Sequence, residues 1–491
     1  MFDTDETSDT FGCGDRYYWG WKLIDFPNGT FQGAAAGLAG LVMEKLLPTE
    51  YSEELILQRI DAMFCATQRM MSSYGSLDEA LPNEASFCVT GLVAADLLLT
   101  VERLVKQISK ERKQEWLAVI RPMIQFLHIQ DEYHGIISNH LATNALALVR
   151  WTDLSGENVD ARARVWVDRI LRHQSEEGWF MEYDSADPGY QTWCMSSLAG
   201  IHQLRPKWDL GNPLRNALDF LSYAAHPNGS FGGIFGSRMT RFIFPAGIEM
   251  LAPEVPEAAA LANFARESIA SHSCVSLDVM DPSNLIPLFN DYVTAALVQK
   301  KNDDLGNASV LPCYGGKMRK VWPEAGWLID SGKDHYTILN LKKGGAGVHT
   351  EGNKGTTEIC AFVGRDKSGK MVSSQYFDDK ATWIIQENQC KLISPLCAVN
   401  RPKPDAFRFM ILRILSLTIF RSLWGGNWVK RALVRFLVTA KSTSKGQVER
   451  TIELGACFSI VDEAPGFVES IPAKGFKPTH MASMGYWQRG E

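Results

Sequence analysis

The sequence predicts an α+β chain of two domains, an N-terminal α/α toroid (an incomplete barrel of helical hairpins) followed by a C-terminal antiparallel β-sandwich. Long amphipathic stretches fill the first part of the chain, and a tight-turn phrase recurs between them. Short stretches rich in β-branched and aromatic residues replace them from about residue 310. We therefore expect the toroid in residues 1–310 and the β-sandwich in residues 311–491.

Amphipathic periodicity predicts helices over 53–69, 85–106, 137–151 and 212–223. Similar phrases, each a tight turn followed by an aromatic residue, begin at Asn28, Glu177 and Asn228. Recurrent units of a loop and a helix pair are typical of stacked helical hairpins. Closed into a ring, such hairpins gather their loops around a central cleft.

The second domain is predicted from strand-like stretches at 335–341, 358–363, 371–377, 382–385 and 458–461. Residues 364–369 are typical of a hairpin loop between two strands. A basic, apolar segment interrupts this pattern. We expect it to be a helical insert in the β-domain, at about 403–440.

Within the insert, residues 407–438 mix Leu, Ile, Phe and Trp with recurring Arg and Lys. The longest charge-free stretch, 414–420, is far shorter than the ~20 residues that a membrane-spanning helix needs. This composition predicts an interfacial amphipathic helix pair, broken at Gly425–Gly426, in peripheral contact with the inner face of a membrane. The alternative is a helical hairpin packed on its own domain or on a second subunit, which leaves a homo-oligomer open.

Composition excludes several classes of function. The 491 residues include 50 basic and 56 acidic side chains, a net charge of −6, so we expect no nucleic-acid partner. The ten cysteines include no CxxC pair, which argues against a zinc ribbon and against a disulfide scaffold. The N-terminus is acidic and lacks an apolar run, so we expect a cytoplasmic protein.

The first candidate site lies where a helix is predicted to begin. Asn139 and His140 are adjacent, and Asn144 follows His140 by one turn on the same face. Polar groups at this end of an otherwise apolar helix are expected to line the loop side of the toroid. The alternative is a helix cap, with His140 bonded to a backbone carbonyl.

The second candidate is Tyr190, which is followed by Gln191. The turn at Pro188–Gly189 would present Tyr190 at a helix start, where the helix dipole favours a phenolate. This placement is typical of a catalytic tyrosine. The alternative is an aromatic plug that seals the loop onto the toroid.

Two further segments combine glycines with charged or titratable side chains. Several glycines precede His349, which implies a backbone that passes close to another group, and Glu351 follows. Arg238 and Arg241 come after another glycine-rich loop and are candidates to bind carboxylates. The alternatives are an ordinary hairpin with an exposed histidine, and plain surface charge.

Together these segments resemble the heparinase II/III-like polysaccharide lyases, the family of exo-acting alginate lyases and heparinase III. The Asn-His pair on a toroid helix of that family is similar to Asn139–His140, and its tyrosine in a Tyr-Gln context to Tyr190–Gln191. Its β-domain loop, His-x-His-x-Asp-x-Gly, has the spacing of 349–355. Glu351 and Asn353 stand where that loop has its second His and its Asp.

The resemblance implies a lyase that cleaves a uronic-acid-containing polysaccharide by β-elimination. Asn139 would neutralise the uronate carboxylate, with Arg238 or Arg241 as helpers. Tyr190 would be the general acid, and in some geometries also the base. The expected partner is an acidic polysaccharide or oligosaccharide.

The remaining roles follow from the same resemblance. His140 or His349 would be the alternative base. Further contacts with substrate are expected from Gln191, Asn144 and Glu351. No cofactor is expected, although the departures in the β-domain loop leave a divalent metal there open.

Other functions stay open at this stage. A uronate C5-epimerase removes the same proton and returns it to the opposite face. A non-catalytic glycan-binding or assembly protein would keep the cleft without the chemistry. Terpene cyclases share Gly-aromatic turns, but the DxDD motif of the protonation type is absent. The expected cytoplasmic location and the basic insert together favour a polysaccharide that is being synthesised.

Overall fold

The computed structural model describes residues 1–133, 135–183, 185–301, 308–352, 355–399, 405–437, 444–469, 476–478 and 485–487. Its first part is helical. The helices are α1 (Arg16–Trp19), α2 (Ala35–Met43), α3 (Glu53–Met70), α4 (Phe87–Leu104), α5 (Lys110–Ile129), α6 (Ser138–Ser155), α7 (Asp160–Arg172), α8 (Pro188–Leu204), α9 (Gly211–Ser222), α10 (Ala246–Leu251), α11 (Pro256–Ala270) and α12 (Pro282–Gln299).

The even-numbered helices contact one another in a closed cycle. The order around the cycle is α2, α4, α6, α8, α10 and α12, and α12 returns to α2. The odd-numbered helices α3, α5, α7, α9 and α11 each pack against the even-numbered helix that precedes them. Because consecutive even-numbered helices are neighbours, the loops that precede α6 and α8 lie side by side.

Capping residues and small residues explain where these helices start and how closely they pack. The side chains of Ser52, Ser86 and Ser109 each accept a hydrogen bond from a backbone N–H in the first turn of the helix that follows. Gly91 lets α4 approach α6 closely. A Cβ at Gly91 would lie only 1.5 Å from Oδ1 of Asn144.

Strands follow the helical part in chain order. They are β1 (Met318–Trp322), β2 (Trp327–Gly332), β3 (His335–Asn340), β4 (Ala346–Glu351), β5 (Gly355–Ile359), β6 (Val363–Arg365), β7 (Met371–Ser373), β8 (Thr382–Ile385), β9 (Gln389–Ala398), β10 (Ser444–Glu453), β11 (Ser459–Glu463), β12 (Val468–Glu469), β13 (Phe476–Pro478) and β14 (Gly485–Trp487). The structure thus has helices first and strands second, as predicted.

The strands form two main antiparallel sheets. The first sheet runs from β1 to β5 in chain order, and the second has the order β11-β10-β9-β7-β6-β12, with β8 also paired to β9. β13 pairs with β14 alone. β6 and β7 form the predicted hairpin, in which Val363 pairs with Ser373.

The first sheet lies between the helices and the second sheet. Tyr336, Ile338 and Val348 share a hydrophobic core with the helices, and the hydroxyl of Tyr336 donates to the carbonyl of Tyr223 at 2.8 Å. Residues that point the other way, such as Leu339, share a separate core with Leu392 of the second sheet. Alternation along each strand therefore decides which side chains face the helices.

The insert forms two further helices, α13 (Ala406–Thr418) and α14 (Leu423–Leu437). The prediction of a break at Gly425–Gly426 is wrong, because the chain turns at Ile419–Ser422 and both glycines lie inside α14. Their missing side chains let α14 pack on the preceding turn, since a Cβ at Gly425 would lie 2.7 Å from the carbonyl oxygen of Ile419. No helix within the described ranges is long and apolar enough to cross a bilayer.

Candidate active site

Two loop segments pair where α6 and α8 begin. Ile137 forms an isolated β-bridge with Glu182, and the N–H of Tyr183 donates to the carbonyl of Ile136 at 3.0 Å. Both the N–H and the hydroxyl of Ser138 donate to the carbonyl of Met181. This pairing brings the start of α6 against the segment that leads into α8.

Asn139 and Glu182 meet at this junction. Nδ2 of Asn139 donates to Oε2 of Glu182 at 2.8 Å, and both side chains are buried. Burial raises the pKa of Glu182 to about 7, although His140, Arg238 and the hydrogen bond from Asn139 act to lower it. The Glu182 carboxyl group therefore changes its protonation state close to neutral pH.

His140 is paired with a second buried acid. Its Nδ1 lies 2.7 Å from Oε2 of Glu132, and its side chain is 20% exposed. Burial acts to lower the pKa of His140, but Cys88 and Glu132 outweigh it and raise the pKa well above its ordinary value. We therefore expect a protonated, hydrogen-bond-donating imidazolium at neutral pH.

Arg238 lies against two phenol rings. Its guanidinium carbon is 4.6 Å from the ring centre of Tyr183 and 5.7 Å from that of Tyr190. All three side chains are half-buried, and Nε of Arg238 is buried with no hydrogen-bond partner among the described residues. Such a stack holds the cation in place while leaving part of its hydrogen-bonding capacity unused.

The two tyrosines differ in backbone conformation but share an electrostatic setting. Tyr183 has a φ of +63°, in the left-handed region, which is costly for a residue with a side chain. Burial raises the pKa of both phenols, and the charge of Arg238 acts against that rise. Both groups are therefore proton donors at neutral pH in the free protein.

Asp187 ties the Arg238 loop to the start of α8. It caps α8 by accepting the N–H of Tyr190 at 3.2 Å, and it accepts the N–H of Arg238 at 2.8 Å. The hydroxyl of Thr240 also donates to Asp187. One buried carboxylate thus fixes the relative positions of Tyr190 and Arg238.

The first sheet holds the same loop from the other side. Nζ of Lys343 donates to the carbonyl of Ile234 at 3.0 Å and to that of Gly236 at 2.7 Å. Nδ2 of Asn340 donates to the carbonyl of Phe235 at 2.7 Å. The backbone acceptors of 234–236 are therefore anchored by the end of β3 and by the turn that follows it.

The structure does not bring Asn144 and Gln191 into this cluster. Asn144 is fully buried between α4 and α6, and its Nδ2 lies 3.3 Å from the carbonyl of Phe87. Gln191 is buried on α8 and donates to the carbonyl of Ala217 at 3.0 Å. Contact with substrate was predicted for both residues. The structure instead places both of them in the packing between helices.

Arg241, His349 and Glu351 also lie apart from the cluster. Arg241 forms an ion pair with Glu358 of β5. His349 lies on the same face of the first sheet as Thr337, whose hydroxyl is 2.8 Å from its Nδ1. It stacks on Phe458 with ring centres 4.5 Å apart, between the two sheets.

Glu351 is two residues further along β4 and so shares the face of His349. Asn353, quoted with it in the sequence motif, lies outside the described residues. Within the described part of the chain, no group of three or more His, Cys, Asp or Glu side chains is placed to hold a metal ion. Of the predicted site residues, the structure brings Asn139, His140, Tyr190 and Arg238 close together, and this cluster is the candidate site.

Sequence reasoning missed Glu132, Glu182 and Tyr183. Glu182 and Tyr183 stand in the segment that leads to Tyr190, but no local pattern distinguishes them from the neighbouring acids. Glu132 lies before α6 in a loop, and only the fold brings it to His140. The signal that could have found Glu182 and Tyr183 is their placement just before α8, the helix that carries Tyr190.

Comparisons with known proteins show similarity in structure but not in sequence. No family model matches the chain, and no curated protein sequence matches it. Chondroitin AC lyase from Streptomyces coelicolor A3, solved with chondroitin sulphate, is 10% identical, with 75% of this chain and 62% of that chain covered and a TM-score of 0.47. Heparinase III is 10% identical, with 85% of this chain and 61% of that chain covered and a TM-score of 0.49.

A xanthan lyase from Paenibacillus is 12% identical, with 81% of this chain and 44% of that chain covered and a TM-score of 0.43. These structural neighbours are polysaccharide lyases. The chain spans about three fifths of the length of the chondroitin AC lyase and of heparinase III, and less than half of the xanthan lyase. Because identity is this low, the candidate activity has to rest on the residues of the cluster.

Proposed function

We propose that this protein is a polysaccharide lyase that cleaves a uronic-acid-containing polymer by β-elimination. The observation that carries the proposal is the stacking of Arg238 on Tyr183 and Tyr190. Beside this stack lie two hydrogen-bonded pairs that each include one carboxyl group, Asn139 with Glu182 and His140 with Glu132. The cluster thus combines a cation, an amide and several proton carriers, which is the set that this reaction requires.

The hardest step is removal of the proton next to the uronate carboxylate. The carboxylate opposes further negative charge, so hydrogen-bond donors and cations must bind it and stabilise the charge that develops. Arg238 has a buried Nε without a partner among the described residues, and His140 is held protonated. We assign carboxylate binding to Arg238 and His140, with Asn139 as a further donor.

The two proton transfers need groups of different acidity. Glu182, with a pKa of about 7, is suited to accept the proton from C5, and Tyr190, with a raised pKa, is suited to donate one. As the C5 proton leaves, the electron pair forms the C4–C5 double bond and the C4–O bond breaks. The leaving glycosidic oxygen then takes the proton of Tyr190. Tyr183 is the alternative base, in its deprotonated form, which its raised pKa disfavours in the free protein.

The proposal extends to the architecture. The closed cycle of helices would be the α/α toroid, with the cluster at its loop side, and the two sheets would be the β-sandwich. An acidic polysaccharide would then run over the half-buried edge formed by Tyr183, Tyr190 and Arg238. The Lys343 and Asn340 contacts support this picture, because they join the β-domain to the loop that carries Arg238.

Ultraviolet absorbance of the unsaturated product tests the activity. The purified protein is incubated with alginate, heparan sulfate, hyaluronan, chondroitin and bacterial uronate polymers. We expect absorbance to rise with at least one of them, and Tyr190→Phe to abolish the rise. Tyr314→Phe, an exposed tyrosine outside the cluster, is the matched control. Full turnover by Tyr190→Phe would contradict the role given to Tyr190.

A uronate C5-epimerase is the second candidate, because Tyr183 and Tyr190 both lie beside the same guanidinium. An epimerase needs one group to remove the proton and another to return it on the opposite face. Incubation in heavy water distinguishes the two reactions. Deuterium at C5 without chain cleavage would identify an epimerase, whereas cleavage with an unsaturated end identifies a lyase.

A further inference from the structure

The insert exposes large apolar side chains on both of its helices. We use the name insert face for Phe407, Met410, Ile414 and Leu417 on α13 together with Trp424 and Trp428 on α14. The spacing along each helix is three or four residues, so each set forms a single stripe. Phe409 and Ile411 are also exposed, near the start of α13. Trp424 is 81% exposed and Trp428 is 63% exposed, which is unusual for tryptophan on a folded protein surface.

The opposite side of the insert is anchored to the protein, so the orientation of the insert face is fixed. Phe420 and Val429 are buried. Nδ2 of Asn427 donates to Oε1 of Gln130 at 3.2 Å, and that of Asn83 donates to the carbonyl of Ser416 at 3.2 Å. The apolar stripe therefore remains exposed after the insert has packed.

The charge around the insert face is mainly positive. Arg408, Arg421 and Arg431 are exposed, and Asp405, the one acidic residue in 405–437, pairs with Arg408 at 3.0 Å. Arg413 is paired with Asp25 from outside the insert, which leaves Arg421 and Arg431 as the exposed cations without an acidic partner among the described residues. Exposed tryptophans among basic side chains are typical of helices that lie in the interface of a bilayer, where the rings enter the headgroup region. A second copy docked face to face would bring like charges together, which is unfavourable.

We propose that the insert face docks on the surface of an anionic lipid bilayer, with the apolar stripe entering the interface and the arginines binding lipid headgroups. The two helices lie in the plane of the surface and do not cross it. Docking is independent of the activity proposed for the cluster, since none of the residues on the insert face belongs to the cluster. The insert face then holds the protein at the membrane by surface contact.

Vesicle binding by the full chain tests this proposal. Co-sedimentation is measured with phosphatidylcholine vesicles and with vesicles that also contain phosphatidylglycerol, at low and high salt. We expect binding to the anionic vesicles only, weakened by salt. Trp424→Ser with Trp428→Ser should weaken binding by about tenfold or more, and Arg421→Gln with Arg431→Gln by about tenfold.

Ile384→Ser is the control for exposed apolar area, and Lys367→Gln with Lys370→Gln is the control for charge. Both should bind as the unchanged chain does. Absence of binding to anionic vesicles would overturn the proposal, and so would equal binding to neutral ones. Concentration-dependent dimerisation in light scattering, lost in the double tryptophan variant, would instead identify a self-association surface and also overturn it.

Discussion

Arg238 and Tyr183 lie in different loop segments, and their side chains are in contact in the folded chain. The guanidinium carbon of Arg238 lies 4.6 Å from the ring centre of Tyr183, whose backbone is held at a φ of +63°. Strained backbone of this kind persists where surrounding contacts hold it, and it is frequent at functional sites. Here the N–H of Tyr183 donates to the carbonyl of Ile136, and the N–H of Arg238 donates to the carboxylate of Asp187. These two hydrogen bonds hold both segments in position.

Replacing Arg238 should remove most of the proposed activity. Arg238→Met removes the charge that would bind the uronate carboxylate, and we expect kcat/KM to fall by about 100-fold or more. Arg238→Lys keeps the positive charge but lacks the planar guanidinium group, so kcat/KM should fall less in this variant than in Arg238→Met. Initial rates from product absorbance give both values. Arg365→Met, at the exposed end of β6, is the control. Wild-type kcat/KM in Arg238→Met would refute the assignment.

Glu182 should control the pH dependence of the proposed reaction. A base with a pKa of about 7 is protonated and inactive below that pH, so kcat/KM should rise as the pH rises through about 7. Glu182→Gln should lose this ascending limb and most of the rate. Tyr183→Phe, which alters the alternative base, should keep the limb. If Tyr183→Phe loses it and Glu182→Gln does not, the base is Tyr183.

The same carboxyl group should affect stability. Its folded pKa of about 7 lies above its ordinary value of 4.5, so the folded state holds the proton more tightly than the unfolded state does. This stabilisation is complete below about pH 4.5 and is lost as the pH rises through about 7. Glu182→Gln should therefore reduce the fall in the free energy of unfolding between about pH 5 and pH 8 by up to about 3 kcal/mol. Urea unfolding at several pH values measures it.

Lys343 should matter for the position of Arg238. Lys343→Met removes both hydrogen bonds to the carbonyls of Ile234 and Gly236, so the loop that carries Arg238 should become looser. We expect kcat/KM to fall by about tenfold, with the pH profile unchanged because Lys343 moves no proton. Lys367→Met, in an exposed hairpin loop, is the control. A displaced pH profile would contradict a purely positioning role.

Much of the secondary structure could be predicted because local patterns decide it. The predicted helix at 53–69 corresponds to α3, and the predicted strand at 382–385 corresponds to β8. In the insert, apolar and basic periodicity predicted helices correctly, but glycine was given too much weight. Gly425 and Gly426 serve close packing on the preceding turn, which depends on the tertiary fold.

The candidate site was predictable only in part. Asn139, His140, Tyr190 and Arg238 were proposed from their positions at loop ends, and the structure places them close together. Strand alternation turned His349 away from them, because its register with Thr337 directs it toward the second sheet. A shift of the strand pairing by one residue would turn His349 to the opposite face of the sheet. The pattern of glycines around His349 does not reveal which pairing the strand adopts.

The contact between Gly91 and Asn144 gives a last prediction, on stability. An alanine in the middle of a helix is ordinarily better than glycine by about 1 kcal/mol. At Gly91 the added Cβ would lie 1.5 Å from Oδ1 of Asn144, so α4 and α6 must separate or Asn144 must move. We expect Gly91→Ala to lower the free energy of unfolding by about 2 kcal/mol.

A double-mutant cycle with Asn144→Ala, measured by urea unfolding, tests this explanation. Asn144→Ala removes the overlapping atoms, so the double variant should lose less stability than the two single variants lose together. Additive effects would show that the two helices adjust without this contact.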